Sequence, residues 1–206
     1  MSAAPRVFIV DDDEAVRDSL QALLEAKGHT VSAYEHAEAF LNAYRPGQPG
    51  CALVDLRMPG MDGLALLEQL RAKGSQLPVV MVTGHGDIAL AVQAMKSGAI
   101  DFIEKPYSND SILAVVDRAL AMAGSFLAEI IPAEIAGRIA ELTPREREVL
   151  ELLVGGKPNK IIAHELQISP RTVEIHRANL MKRMQADSLS HLVRMALAAG
   201  IGSRKS

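Results

Sequence analysis

The sequence predicts two domains: an α/β domain on a five-stranded parallel sheet, then a small all-α domain. Three observations predict them. Up to about residue 123, short β-branched runs alternate with amphipathic stretches of helical length. Beyond that point the strand-like runs stop and only helical patterning continues. The charge changes sign at the same place. Residues 1–124 hold 10 Lys/Arg against 16 Asp/Glu, net −6, and residues 125–206 hold 12 against 9, net +3. The whole-chain value of −3 hides this division. The expected boundaries are 1–124, a partly helical linker over 125–141, and 142–206.

The strands come in order at Val7–Val10, Thr30–Tyr34, Cys51–Val54, Val79–Thr83 and Ile100–Ile103. Helices are expected at Ala15–Lys27, His36–Tyr44, Gly63–Lys73, Asp87–Ser97 and Asn109–Ala123. Val16, Leu20, Leu23 and Leu24 recur at helical spacing, as do Leu64, Leu67 and Leu70. Gly28, Gly74 and Gly98 stand where helix C-caps belong. Strictly alternating strands and helices give a parallel sheet covered on both faces. Over Ser125–Leu142, Phe126, Ile130, Ile131, Ile135 and Ile139 suggest helical pieces broken at Pro132. Thr143-Pro144 with Glu146 then signals a helix start, closed at Gly155-Gly156. A short helix follows over Pro158–Glu165, and a tight turn at Leu166–Ser169 leads to Ser169-Pro170, a second cap with a first-turn proline. That longer helix runs to Met184, and a last one spans Ser190–Ala199.

Composition excludes several classes. Hydrophobic residues make up 49%, enough for a core and too many for a disordered chain. The single cysteine, Cys51, excludes a disulfide scaffold and a Cys-rich zinc site. No apolar run approaches the roughly 20 residues of a membrane span, and Met1–Arg6 lacks the core of a signal peptide. A cytoplasmic protein without membrane association is expected.

In a parallel sheet, ligands gather at the carboxyl ends of the strands. Here those ends carry Asp11-Asp12-Asp13, Asp55, Thr83 and Lys105. Crowded carboxylates repel and call for a cation, and oxygen ligands suit a hard divalent ion such as Mg²⁺. Such a site serves phosphate chemistry, with one carboxylate as the phosphoryl acceptor. Asp55 is the candidate, because it ends a central strand just before the Pro59-Gly60 turn. Lys105 would neutralise phosphoryl oxygens and Thr83 would donate a hydrogen bond.

Val10-Asp11-Asp12-Asp13, Val54–Gly63, Val82-Thr83-Gly84-His85-Gly86 and Asp101–Pro106 resemble the receiver domain of bacterial two-component response regulators over about residues 5–123. The resemblance implies a flavodoxin-like fold with strand order 2-1-3-4-5. It implies that Asp55 accepts phosphate from a sensor histidine kinase. Asp12, Asp55 and the Arg57 carbonyl would ligate Mg²⁺ directly, and Asp11 through water. Thr83 and Phe102 would form a switch pair, and the Lys105–Pro106 bond would be cis. An aromatic in the fifth strand also suits plain core packing. Val92, Lys96, Ile100 and Asp101 could form a self-complementary dimer patch or a solvated face.

Helix, tight turn, helix is an arrangement in which the second helix enters the major groove of DNA. On the helix that starts at Pro170, Val173, Leu180 and Met184 fall on one face, with His176 beside them as a packed histidine. The opposite face carries Arg171, Glu174, Ile175, Ala178 and Lys182. Ile175 suits contact with a thymine methyl, although a single exposed apolar residue is also ordinary on a surface. Lys160, Thr172 and Arg177 are placed for phosphates.

Leu142–Leu150, Asn159–Ala163 and Ile168–Asn179 resemble the LuxR/GerE four-helix DNA-binding domain over about residues 139–201. Receiver plus this domain is the architecture of the NarL/FixJ class. Thr83-Gly84-His85-Gly86, Phe102–Pro106 and Pro170–Asn179 resemble its FixJ subgroup, regulators of nitrogen-fixation and microaerobic genes. The class implies a transcription activator that is not an enzyme beyond slow autodephosphorylation. Its implied partners are a sensor kinase, double-stranded DNA and RNA polymerase, with a homodimer once phosphorylated. At rest, the acidic receiver could cover the basic domain. Two other readings stay open: an aspartyl-phosphate hydrolase, which Asp11 and Asp13 fit loosely, and a module that binds RNA or protein.

Overall fold

The computed structural model describes residues 4–84, 88–124 and 132–202. Five strands, β1 (Arg6–Val10), β2 (Thr30–Tyr34), β3 (Gly50–Asp55), β4 (Val79–Thr83) and β5 (Asp101–Glu104), form one sheet. Its order is β2-β1-β3-β4-β5, and each pair of neighbours is parallel. This is the order implied by the resemblance. The connecting helices are α1 (Glu14–Ala26), α2 (Ala37–Ala43), α3 (Gly63–Ala72), α4 (Ile88–Lys96) and α5 (Asn109–Gly124). Five further helices follow, α6 (Pro132–Ala140), α7 (Pro144–Val154), α8 (Asn159–Leu166), α9 (Pro170–Met184) and α10 (Leu189–Ala198). Proximity along the chain's trace divides it into two compact units, residues 1–85 with 97–128, and residues 86–96 with 129–206.

In the first unit β3 and β4 are buried at every residue. That explains why they read as continuous apolar runs rather than alternations. Side chains two apart share a face of a strand. Val7, Ile9, Cys51, Leu53, Val80 and Val82 therefore meet Leu20 and Leu24 of α1 and Ile112 and Val116 of α5. Phe8 lies among aromatics instead, its ring centroid 5.4 Å from Phe40 and 5.7 Å from Tyr44. Cys51 is an unpaired, buried thiol whose pKa burial pushes up to about 12, so it behaves as a small apolar core residue. Gly63 opens α3 directly against β3, where a Cβ would collide with the Asp55 carbonyl. That close approach fixes the turn after Asp55. Gly28, Gly74 and Gly98 have positive φ, as their expected capping roles require.

The helical set of the second unit has its own core. Val149, Leu150 and Leu153 of α7, Ile162 of α8, Val173, Leu180 and Met184 of α9, and Leu192 and Met195 of α10 pack together. Helix α6 lies within the expected linker, yet it places Ile135 and Ile139 in this core. Pro132 starts α6, because proline is tolerated in a first helical turn. What precedes it, the stretch with Phe126, Ile130 and Ile131, lies outside the described residues. The caps follow the sequence signals. The Thr143 hydroxyl accepts from the Glu146 N–H while the Glu146 carboxylate accepts from the Thr143 N–H, a reciprocal box. Ser169 accepts from the Thr172 N–H, and Ser188 from the His191 N–H. Helices α8 and α9 both end on a glutamine in the left-handed region, Gln167 at φ 54° and Gln185 at φ 52°.

Candidate functional site

The strand register brings the acidic residues together. β1 and β3 run level, with Val10 opposite Val54, so Asp11 and Asp55 emerge side by side at the carboxyl edge. Lys105 follows β5 and reaches back, its Nζ donating to Asp11 Oδ2 at 2.9 Å and to Asp55 Oδ1 at 3.2 Å. Asp11 and Asp55 are 2% and 8% exposed. Asp12 is exposed, and each of the three aspartates has an oxygen within 4.8 Å of the others'. Three carboxylates in reach of one point are a donor set for a hard divalent cation. The Asp55 carboxyl is pushed up, foremost by burial and also by Asp11 and Asp12, against the pull of Lys105. Burial pulls the Lys105 ammonium down, but its bonds to Asp11 and Asp55 outweigh that and raise it. One ammonium therefore does not neutralise this pocket. A bound cation would.

The other expected receiver residues occupy several environments. Thr83 is buried, and its hydroxyl donates to the Gly84 carbonyl at 3.4 Å rather than to a carboxylate. Phe102 is 7% exposed and pairs in register with Met81. Arg57 is exposed in the loop after β3. The Lys105–Pro106 bond is cis. Of the proposed dimer patch, Lys96 is exposed, Ile100 half-buried, and Val92 and Asp101 buried. Asp101 accepts from the Phe102 N–H at 2.9 Å and from Arg118 at 3.0 Å. The sequence pattern does not single out Arg118. Nor does it single out Arg17, which holds the loop after β1.

The second surface lies on α9. Val173, Leu180 and Met184 are buried, and His176 is half-buried beside them. Arg171, Glu174, Ile175, Ala178 and Lys182 are exposed, as is Lys160 of α8. The first four of these line one shallow concavity. Ile175 is 54% exposed. Thr172 and Arg177 are half-buried and have partners within the unit. The Thr172 hydroxyl shares a 2.8 Å hydrogen bond with Ser169, and Arg177 donates to Asn159 Oδ1 at 2.8 Å. Ile161 on α8 is a second exposed isoleucine, at 46%. The apolar count alone could not separate it from its buried neighbour Ile162. Arg183 of α9 is exposed and pairs with the buried Glu146 at 3.2 Å.

A receiver-type acidic site joined to a basic helix-turn-helix defines a two-component response regulator with a DNA-binding output. Residues 7–117 match the response regulator receiver domain, and residues 140–196 match the bacterial regulatory proteins of the luxR family. The chain belongs to this family of transcription regulators, of the FixJ-like type. It is 47% identical to the transcriptional regulatory protein FixJ of Bradyrhizobium diazoefficiens, covering 98% of both chains. It is 52% identical to FixJ of Azorhizobium caulinodans, over 95% of this chain and 93% of the relative. The tetrathionate response regulatory protein TtrR of Salmonella typhimurium is 42% identical, over 91% and 90%. Full-length FixJ from B. japonicum superposes with a TM-score of 0.56 at 47% identity, covering 95% of this chain and 97% of that one. The response regulator StyR gives 0.57 at 41% identity, over 95% and 99%. The hydrolase and the RNA- or protein-binding readings are not favoured. Among the described residues, no helix is long and apolar enough to cross a membrane.

Proposed function

We propose that Asp55 is the phosphoacceptor for a sensor histidine kinase, and that its phosphorylation drives dimerisation and DNA binding. One observation carries the reading: Lys105 bridges Asp11 and Asp55 at the carboxyl edge, with Asp12 beside them. An Asp55 oxygen attacks the phosphorus of the kinase phosphohistidine. A P–O bond forms, the P–N bond breaks, and the imidazole leaves with the electron pair. Asp11, Asp12, Asp55 and the Arg57 carbonyl would hold Mg²⁺, which supplies positive charge to phosphoryl oxygens when bound. Lys105 is already on the acceptor carboxylate and follows its charge as it becomes an acyl phosphate. The Thr83 hydroxyl exchanges its Gly84 carbonyl for a phosphoryl oxygen, and Phe102 follows Thr83. The chain is otherwise not an enzyme, with slow autodephosphorylation at most.

Val92, Lys96, Ile100 and Asp101 would then contribute to pairing of receivers. Two copies of α9 reach two half-sites, with Arg171, Glu174, Ile175, Ala178 and Lys182 at base edges and Lys160, Thr172 and Arg177 at phosphates. RNA polymerase is recruited in the cytoplasm, at promoters of nitrogen-fixation or microaerobic genes. The test is a gel shift on fragmented genomic DNA, with and without phosphorylation by a small phosphodonor and Mg²⁺. Specific binding should rise on phosphorylation and vanish in Asp55→Asn. Equal binding by the phosphorylated parent and the variant would overturn the reading.

A further inference from the structure

We infer that Arg17 is a positioning residue for the cation site: it clamps the loop that presents Asp11 and Asp12, and so sets the affinity for a divalent ion. This rests on the cation reading above. Arg17 Nη1 donates to the main-chain carbonyl of Asp11 at 2.8 Å and to that of Asp12 at 2.9 Å. Its own N–H bonds the Asp13 carbonyl at 3.0 Å, which places it in the first turn of α1. From there the side chain folds back over the helix start. A cation in a first turn opposes the helix dipole, so local helix energetics do not call for one. The two carbonyls it takes give it a reason to be there.

The rest of the loop is tied to the same purpose. Asp11 Oδ1 accepts from the Asp13 N–H at 3.0 Å, and Asp13 Oδ1 accepts from the Ala15 N–H at 2.9 Å. With Lys105 on Oδ2, the Asp11 carboxylate is held at both oxygens. The Asp12 side chain is exposed, so the peptide on which it stands must supply its orientation. Arg17 fixes that peptide. It also differs from Lys105 in kind. Lys105 occupies carboxylate oxygens that a cation needs, whereas Arg17 brings positive charge through carbonyls and leaves the carboxylates open. Both bonds leave the one Nη1 nitrogen. Lysine in its place would keep the charge but on a shorter side chain, without the rigid guanidinium plane that holds that nitrogen over both carbonyls.

The test uses the full chain. Mg²⁺ affinity is measured by titration calorimetry for the parent, Arg17→Gln and Arg17→Lys, alongside thermal unfolding with and without Mg²⁺. Arg17→Gln should weaken Mg²⁺ binding by roughly 10-fold, as loss of a supporting residue around a metal site does. Arg17→Lys should fall between it and the parent. Phosphorylation by a small phosphodonor should recover in Arg17→Gln when Mg²⁺ is raised to saturation. If both variants bind Mg²⁺ within twofold of the parent, Arg17 is structural only and the inference falls, whatever happens to the melting temperature. Should Arg17→Gln not fold, an unchanged affinity in Arg17→Lys overturns it and a reduced one supports it. A parent that does not bind Mg²⁺ defeats the cation reading itself.

Discussion

Asp55 and Glu146 are both buried carboxylates, one in each unit, and the protein treats them in opposite ways. Asp55 shares its pocket with Asp11 and Asp12, and its carboxyl is pushed up by burial and by those neighbours. Burial also acts against the Glu146 charge. There, however, the Thr143 N–H and hydroxyl and the Arg183 guanidinium outweigh it and hold the carboxyl below its usual range. Those bonds measure 2.8, 2.9 and 3.2 Å. Glu146 is thus complete within the fold, whereas Asp55 is left short of positive charge. A structural carboxylate is recognised by being satisfied. A reactive one is recognised by what it still requires.

The largest effect that could break this contrast is a pair of substitutions with opposite signs. Glu146→Ala removes the carboxylate half of the capping box and the ion pair with Arg183, which keeps only the Glu141 carbonyl, so the helical unit should lose about 2 kcal/mol. Asp55→Asn removes one of several like charges, so the receiver should be as stable as the parent or more so when Mg²⁺ is absent. Hydrogen exchange of α7 and β3 amides in the full chain separates the two. Loss at both sites would show that Asp55 is structural as well. The pH dependence follows the same signs. Glu146 binds its proton less tightly folded than unfolded, so its contribution is present above the ordinary glutamate value of about 4.3 and is lost as pH falls through the lower folded value. Asp55 binds its proton more tightly when folded. Its contribution is therefore largest at low pH and declines as pH rises from about 3.9 through its raised value. Each variant should flatten the matching part of the stability profile.

A smaller effect sharpens the comparison at the α9 surface. In the proposed DNA complex Lys160 would meet a phosphate and Ile175 a base edge. Lys160→Ala should weaken binding to all sequences alike and reduce the salt slope by about 1, while Ile175→Ala should cost about 1 kcal/mol at one base position only. Affinity measured at several salt concentrations on a set of single-base variants distinguishes them. Much of this was legible beforehand. Strand ends and helical spacing located Asp11, Asp12, Asp55 and Lys105, because the parallel sheet delivers those positions to one edge. The same spacing separated buried Val173 and Leu180 from exposed Arg171 and Ile175. Side-chain partners over long separations were not legible. Nothing local announces that Arg118 pairs with Asp101, that Arg177 turns to Asn159, or that Arg183 reaches Glu146. Helix α9 has less free charge than its row of cations implies, because Arg183 pairs with Glu146.

The smallest effect concerns how α9 ends. Glycine punctuates the helices of the receiver, with Gly28, Gly74 and Gly98 all at positive φ. The helix-turn-helix uses Gln167 and Gln185 in the left-handed region instead. A side chain with a Cβ pays roughly 1–2 kcal/mol to sit there, and glycine does not. Glycine also has more backbone freedom to lose on folding, which takes back part of the gain. Gln185→Gly should therefore stabilise the helical unit by about 0.5 kcal/mol, read as a higher denaturant midpoint with an unchanged slope. The Gln185 N–H bonds to the Lys182 carbonyl at 3.2 Å and needs no side chain, so the cap itself survives the change. A loss of stability would mean that the glutamine side chain contributes something its backbone geometry does not reveal. The contrast between glycine-capped and glutamine-capped helices would then be one of contacts rather than of φ.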